Sequence, residues 1–266
     1  MSLAWLASYP KSGNTWVRIM LLSYLEDQPL ETDEPVRWRG RWSRNSAVAD
    51  LNDLMSEAGL SWPSHQAVPP TLKTHFLPGV DVHRPYREAT TKVLYIVRDP
   101  RDVIRSAERH LDVSPKHRAA FARHFIAHHG FEGWRRTGWG SWVENVSEWV
   151  NPERYFPDAD VCVVRYEDLK SDAVGSLSRI VSFLEWDDRV DGARVERAVR
   201  SSELDRLREQ ERRTKKPGND RSLFFGQGLS GQSLVDYGED VEESYLRLLN
   251  EDSAFADVAK RWGYSN

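Results

Sequence analysis

The chain opens on an apolar run, Leu3-Ala-Trp-Leu-Ala7, whose unbroken hydrophobicity predicts a short strand buried on both faces. A turn-rich segment, Ser8-Tyr-Pro-Lys-Ser-Gly13, separates it from a stretch in which apolar residues recur at helical spacing, predicting a helix from Asn14 to Leu25. Residues 27–46 carry no clear period. A helix is expected near 46–58, followed by a Pro-rich stretch through Pro70. Further buried strands are expected at Thr71–His75, Lys92–Val97 and Val161–Arg165. The strand ending at Val97 runs straight into Asp99-Pro-Arg-Asp102, where Asp99 suits a helix N-cap and Pro100 the first turn. Helices are predicted at 100–110, 115–129 and 141–149, and then near 172–184, 191–200 and 202–211. Ala173, Leu177, Ile180, Val181 and Leu184 make one apolar stripe on the first of the later three. The polar, Gly-rich segment 212–235 precedes two closing helices near 238–249 and 252–261. Strands alternating with helices predict an α/β fold, one domain over residues 1–266 with a mostly parallel central sheet flanked by helices.

Composition narrows the class. At 266 residues, 39% apolar and 29% charged, the chain has ample material for a core and none of the bias of a disordered one. The 37 basic and 41 acidic side chains give a net charge of −4, which offers no reason to expect a nucleic-acid partner or an anionic membrane. A local basic site remains compatible with that balance. The single cysteine, Cys162, lies in the apolar run Val161-Cys-Val-Val164 and reads as a small buried hydrophobe. A disulfide framework within the chain and a cysteine-rich zinc site are therefore excluded. No apolar run reaches membrane-spanning length and no basic leader precedes the first strand, so the expected setting is cytoplasmic, without membrane insertion. His117, His124 and His128 share one helix face, read as a solvated face and not a metal site. Tryptophan, at 11 residues, outnumbers Phe and Tyr at 9 each.

Three segments carry candidate chemistry. Tyr9-Pro-Lys-Ser-Gly-Asn-Thr-Trp16 lies between a strand and a helix, where backbone N–H groups and the helix dipole favour an anion. Gly13 permits close approach, Lys11 adds a full charge, and Ser12, Asn14 and Thr15 add donors. The segment is P-loop-like in purpose but not in spelling, since the Walker lysine follows the last glycine and Lys11 precedes Gly13 by two. Taken alone it suits an anion loop or an ordinary strand-to-helix turn. Arg98 stands where a strand ends, the edge at which ligands of open parallel sheets collect, and Ser106 follows two helical turns later. A surface Arg/Asp cluster would read the same way. Leu72-Lys-Thr-His75 pairs a cation, Lys73, with a titratable ring suited to general-base work.

Together these segments resemble the sulfotransferases that use 3′-phosphoadenosine-5′-phosphosulfate (PAPS) and release 3′,5′-bisphosphoadenosine (PAP). In that family a Y-P-K-S-G-x-T-W loop holds the 5′-phosphosulfate, an R-(x)7-S element binds the 3′-phosphate and a K-T-H motif supplies the base. The resemblance assigns these to Tyr9–Trp16, to Arg98 with Ser106, and to Lys73-Thr74-His75. Gly140-Ser-Trp142 with Trp149 is similar to the family's G-S-W segment, and Tyr166-Glu-Asp-Leu169 to its Y-E-D segment near the adenine. What the resemblance implies is sulfuryl transfer to a hydroxyl of a small-molecule acceptor, with His75 as base and no metal. Lys11 would act on the leaving group, Lys73 on the sulfuryl oxygens, and Ser106 on both the 3′-phosphate and Lys11. Trp16, Tyr166, Ser202 and Leu204 are its adenine contacts. One departure stands out. Animal members carry an R-K-G motif at the 3′-phosphate, and this chain reads Gly226-Gln-Gly228 there. The basic run Arg212-Arg-Thr-Lys-Lys216, or Arg221, is the candidate replacement.

The Gly-rich version, with Gln232-Ser-Leu234 after it, is most similar to bacterial enzymes that sulfate glycopeptide antibiotics, implying a phenol or sugar hydroxyl on a secondary metabolite. The acceptor walls are expected in 27–70, 130–140 and 212–235, with Trp38, Trp42, Trp62, Trp134 and Trp139 as an aromatic wall or as plain packing. Two other classes stay open: a P-loop nucleotide kinase or other phosphotransferase, and a nucleotide-binding module without catalysis.

Overall fold

A computed structural model describes residues 2–27, 46–56, 59–60, 68–214, 223–226 and 228–265. Its sheet has five parallel strands: β1 (Leu3–Ser8), β2 (Val48–Asp50), β3 (Thr71–Thr74), β4 (Thr90–Val97) and β5 (Asp160–Arg165), in the order β2-β3-β1-β4-β5. β1 sits at the centre, with Ala7 opposite Thr74 on one side and Tyr95 on the other. Its side chains alternate, as a pleat requires. Leu3, Trp5 and Ala7 face one half of the core, and Ala4 and Leu6 face the other. Both halves are covered, which is why the strands read as continuous apolar runs.

Over the first face lie α3 (Pro100–His110), α4 (Arg118–His128), α5 (Trp142–Val150), α10 (Glu239–Glu251) and α11 (Ser253–Arg261), which contribute Ile104, Phe125, Trp142, Tyr245 and Phe255. Over the second lie α1 (Asn14–Glu26), α7 (Ala173–Phe183), α8 (Gly192–Ser201) and α9 (Leu204–Thr214), which contribute Val17, Leu177, Val195 and Leu207. The short α2 (Leu51–Leu54) and α6 (Tyr166–Ser171) follow directly on β2 and β5. Cys162 is buried on β5.

The helix expected near 46–58 is corrected. Val48–Asp50 forms an edge strand, with Val48 opposite Thr71 and Asp50 opposite Lys73. Asp50 then accepts a hydrogen bond from Asn52 N and caps a helix of only four residues. Pairing with β3 outweighs the local helical spacing, because tertiary contacts override weak propensities. The helix expected from 202 starts at Leu204, since Ser202 caps the end of α8. That expected from 115 opens with a tighter turn at Pro115–His117 before α4. A second such stretch, Asp81–Ala89, and the helix Tyr166–Ser171 had no counterpart in the sequence reading.

Because all five strands of this sheet run the same way, their carboxyl ends open along one edge, where Tyr9–Gly13, Asp50, His75, Arg98 and Tyr166 all emerge; a separate antiparallel pair, Met55–Ser56 with Gly59–Leu60, lies outside it. Among the described residues no helix is long and apolar enough to cross a membrane.

Candidate active site

A cavity of about 930 Å³ opens at this edge, and Lys11, Lys73, His75, Arg98, Ser106 and Tyr166 share its wall. Gly13, Asn14, Thr15, Trp16 and Leu204 line it as well. Ser12 and Ser202 stand behind the wall.

The turn out of β1 is built from two left-handed residues, Lys11 (φ 70°) and Gly13 (φ 100°). At Gly13 a side chain would be strained by the backbone and would meet the Tyr166 ring at 2.6 Å. Gly13 O accepts the first helical bonds, from Trp16 N and Val17 N. The Asn14 amide turns back to Leu6 O and Ser8 Oγ, locking the turn onto β1. Ser12 Oγ is buried with no hydrogen-bond partner among the described residues, an open donor behind the loop. Lys11 Nζ lies 4.6 Å from the Phe224 ring centroid and makes no ion pair among the described residues. Burial, and then Arg109 and Arg98, push its pKa down to about 7. Such a loop, with an unpaired lysine at a helix N-terminus, fits an anion.

At the end of β3, His75 Nδ1 lies 2.7 Å from Ser8 O. A carbonyl oxygen only accepts, so Nδ1 carries the proton and Nε2 keeps its lone pair. Burial, and then the charge of Lys73, hold the imidazole well below its ordinary pKa, so the ring is a neutral base at pH 7. Lys73 Nζ is 3.3 Å from Asp50 Oδ2, which also receives Arg18 Nη1 at 3.1 Å. Burial opposes ionisation of Asp50, but Lys73 and Arg18 outweigh it and hold the carboxyl below its usual range. Lys73 is thus not a free cation but one arm of a buried Arg18–Asp50–Lys73 group.

At the end of β4, Arg98 donates to Lys11 O and Leu229 O, both at 2.9 Å, and its guanidinium lies 4.0 Å over the Tyr166 ring. Its Nε is buried and has no hydrogen-bond partner among the described residues. The Tyr166 ring is therefore held between Gly13 and Arg98, with Trp16 edge-on at 5.9 Å. Trp16 Nε1 donates to Ser202 O at 2.7 Å, while Ser202 Oγ donates to Ala198 O. Ser202 thus reaches the site only through its backbone.

Helix α5 holds two of these strand ends. Its Ser141–Glu144 capping box fixes the first turn, and three side chains on one face then take up strand-end carbonyls. Trp142 Nε1 donates to Arg98 O, Asn145 Nδ2 to His75 O at 3.0 Å, and Trp149 Nε1 to Phe76 O at 2.8 Å. Asp50, Arg18, Asn145 and Arg109 are the site residues that sequence reasoning missed. Arg18 had a readable signal, a charge inside the apolar run Val17-Arg-Ile-Met-Leu-Leu22, and Asn145 sits at i+3 from Trp142. Asp50 was hidden by the wrong element.

Arg212 and Arg213 pair with Glu209 and are not among the residues that line the cavity, and Lys215, Lys216, Arg221 and Gln227 lie outside the described residues. Trp134 and Trp139 line the cavity, whereas Trp38, Trp42 and Trp62 lie outside the described residues. The described part of 212–235 is tied down: Glu211 accepts from Phe224 N and Phe225 N, and Asp102 from Gly231 N.

Residues 2–233 match the sulfotransferase domain family. Sulfotransferase 2A2 of Rattus norvegicus is 26% identical over 184 residues, 66% of this chain and 57% of that protein, so the chain matches little more than half the length of this relative. Among solved structures, mouse sulfotransferase SULT7A1 complexed with PAP superposes with a TM-score of 0.59 at 19% identity, covering 97% of this chain and 88% of that one. Retinol dehydratase in a complex with retinol and PAP gives a TM-score of 0.60 at 18% identity, covering 94% and 82%.

Proposed function

Because the chain belongs to the sulfotransferase domain family, we propose that it moves a sulfuryl group from PAPS to a hydroxyl of a small-molecule acceptor. The observation that carries this reading is the convergence of Lys11, Lys73, Arg98 and a neutral His75 on one cavity. The acceptor hydroxyl gives its proton to His75 Nε2 as its oxygen bonds to sulfur. The bond from sulfur to the oxygen bridging the 5′-phosphate breaks, and its electron pair leaves with PAP. Lys11 stabilises the charge growing on that oxygen, and Lys73, set by Asp50, faces the sulfuryl oxygens. As in phosphoryl transfer, most of the work is positioning and charge stabilisation. The Gly13 loop and Ser12–Trp16 take the 5′ end, Arg98 and Ser106 the 3′-phosphate, and Trp16, Tyr166 and Leu204 the base.

The finer reading is an acceptor phenol or sugar hydroxyl on a bulky bacterial secondary metabolite, as in antibiotic tailoring. Trp134 and Trp139 support it as flat walls, the Trp139 ring centroid lying 5.5 Å from that of His75. The spelling of Gly226–Leu234 supports it too. The likeness of the fold to retinol dehydratase, solved with retinol, supports an apolar acceptor body. A reducing cytoplasm suits the unpaired Cys162.

The test is a radiolabelled-PAPS assay against a panel of hydroxyl acceptors, with ATP–Mg²⁺ as competing donor and a chelator control. Label transfer from PAPS that survives the chelator is the expected result. Phosphoryl transfer from ATP would assign the kinase class instead, and tight PAP binding without transfer to any acceptor would assign a binding module.

A further inference from the structure

Three cations, Lys11, Arg98 and Arg109, stand together at the cavity, and none of them forms an ion pair among the described residues, although Glu211, Asp102 and Glu108 act on them from nearby. The first two carry roles in the proposed reaction, and Arg109 carries none. It lies on α3 three residues beyond Ser106, on the same face of the helix, and lines the same wall. Among the described residues its guanidinium has no hydrogen bond and no ion pair. Burial, and then the charge of Arg98, disfavour its ionised form. The buried Arg98 guanidinium and the partly buried one of Arg109 repel each other, and a ligand of opposite charge placed between them would relieve that repulsion.

The surrounding backbone is shaped around this side chain. A Cβ built at Gly226 would lie 1.9 Å from Arg109 Cζ and 2.0 Å from Nη1, so the guanidinium fills the volume that any side chain at 226 would take. Gly226 is also the first position of Gly226-Gln-Gly228, where the sequence lacks the cations expected at the 3′-phosphate. The missing positive charge and the space for it coincide.

We propose that Arg109, reaching from α3 into the place vacated by a side chain at Gly226, is the second cation on the nucleotide's 3′-phosphate, beside Arg98 and Ser106. The proposal rests on the PAPS reading above and adds to it: Gly226 contributes room, and the helix contributes the charge. A guanidinium suits this task because its planar fork meets two phosphate oxygens at once.

The test is calorimetric titration of the full chain with PAP and with 5′-AMP, which lacks only the 3′-phosphate. Arg109→Gln is expected to weaken PAP binding by about tenfold or more, the usual worth of a charge-assisted contact, and to leave 5′-AMP binding within about twofold. Gly226→Ala, which displaces the guanidinium, should weaken PAP selectively in the same way with little change in the unfolding midpoint. Arg109→Gln combined with Gly226→Arg should regain PAP affinity, since an arginine then reaches the same place from the loop. PAP binding unchanged in Arg109→Gln and Gly226→Ala, or equal losses for both nucleotides, would overturn the assignment while leaving the PAPS reading intact. A wild-type chain that binds neither PAP nor PAPS would overturn both.

Discussion

The Nδ1 of His75, at the end of β3, lies 2.7 Å from the backbone carbonyl oxygen of Ser8, at the end of β1. This one contact fixes the tautomer of the ring and ties it to the loop that begins at the next residue. The proposed general base and the proposed anion loop therefore stand on the same pair of adjacent strands.

The pH profile should carry the mark of that environment. Burial and Lys73 lower the His75 pKa, so the ring stays unprotonated through the range where free imidazole, at about 6.5, gains its proton. The acid limb of kcat/KM is expected to fall well below about pH 6.5. His75→Ala should remove that limb and lower kcat by at least about a hundredfold, with PAP affinity retained. A rate that titrates near the free imidazole value, or full turnover in the variant, would remove the histidine from the mechanism.

Lys11 gives the basic side of the profile. Its pKa, lowered to about 7, means the ammonium is charged below that value and lost as pH rises through it. PAP affinity in the free protein should decline as pH passes about 7 toward about 9, and Lys11→Met should be weaker but flat over the same range. Calorimetry across that range reads both, and an equal slope in the variant would exclude Lys11 as the titrating group.

Asp50 is expected to matter for stability as much as for rate. Its carboxylate faces Lys73 and Arg18, with side chains only 15%, 11% and 3% exposed. Asp50→Ala leaves two buried cations uncompensated and should cost about 3–5 kcal/mol in urea unfolding. Because the folded-state carboxyl pKa is depressed, this stability is present above the ordinary carboxyl value and is lost as pH falls through the folded one. Asp50→Asn combined with Lys73→Met should regain part of the stability but none of the activity. Recovery of both would show that Lys73 has no part in the reaction.

Trp16 and Ser202 separate a side-chain role from a backbone one. Ser202→Ala keeps the carbonyl that receives Trp16 Nε1 and should leave PAP affinity within about twofold. Trp16→Phe loses that bond, worth about 1 kcal/mol, and should weaken PAP by about fivefold. A large loss in Ser202→Ala would restore the serine hydroxyl as a nucleotide contact.

The buried strands were legible because a parallel sheet covered on both faces demands runs such as Leu3–Ala7 and Val93–Val97. β2 was not, because a three-residue edge strand ending in a capping aspartate carries no period of its own. Lys11, Gly13, His75 and Arg98 were visible through their spelling and their positions at strand ends. Nothing in the local pattern singles out Arg109, and only its place in the cavity wall against Gly226 does so.

The sequence by itself determined the alternation of strands and helices, and with it the segments that carry cationic and basic groups. Those properties depend on local patterning and on residue type. The tertiary structure decided which carboxylate meets Lys73, which carbonyl orients His75, and which arginine stands beside Arg98. These contacts join residues 23, 67 and 11 positions apart in the chain. Two of them cross between neighbouring parallel strands, whose adjacency comes from crossover connections and core packing that no local pattern encodes.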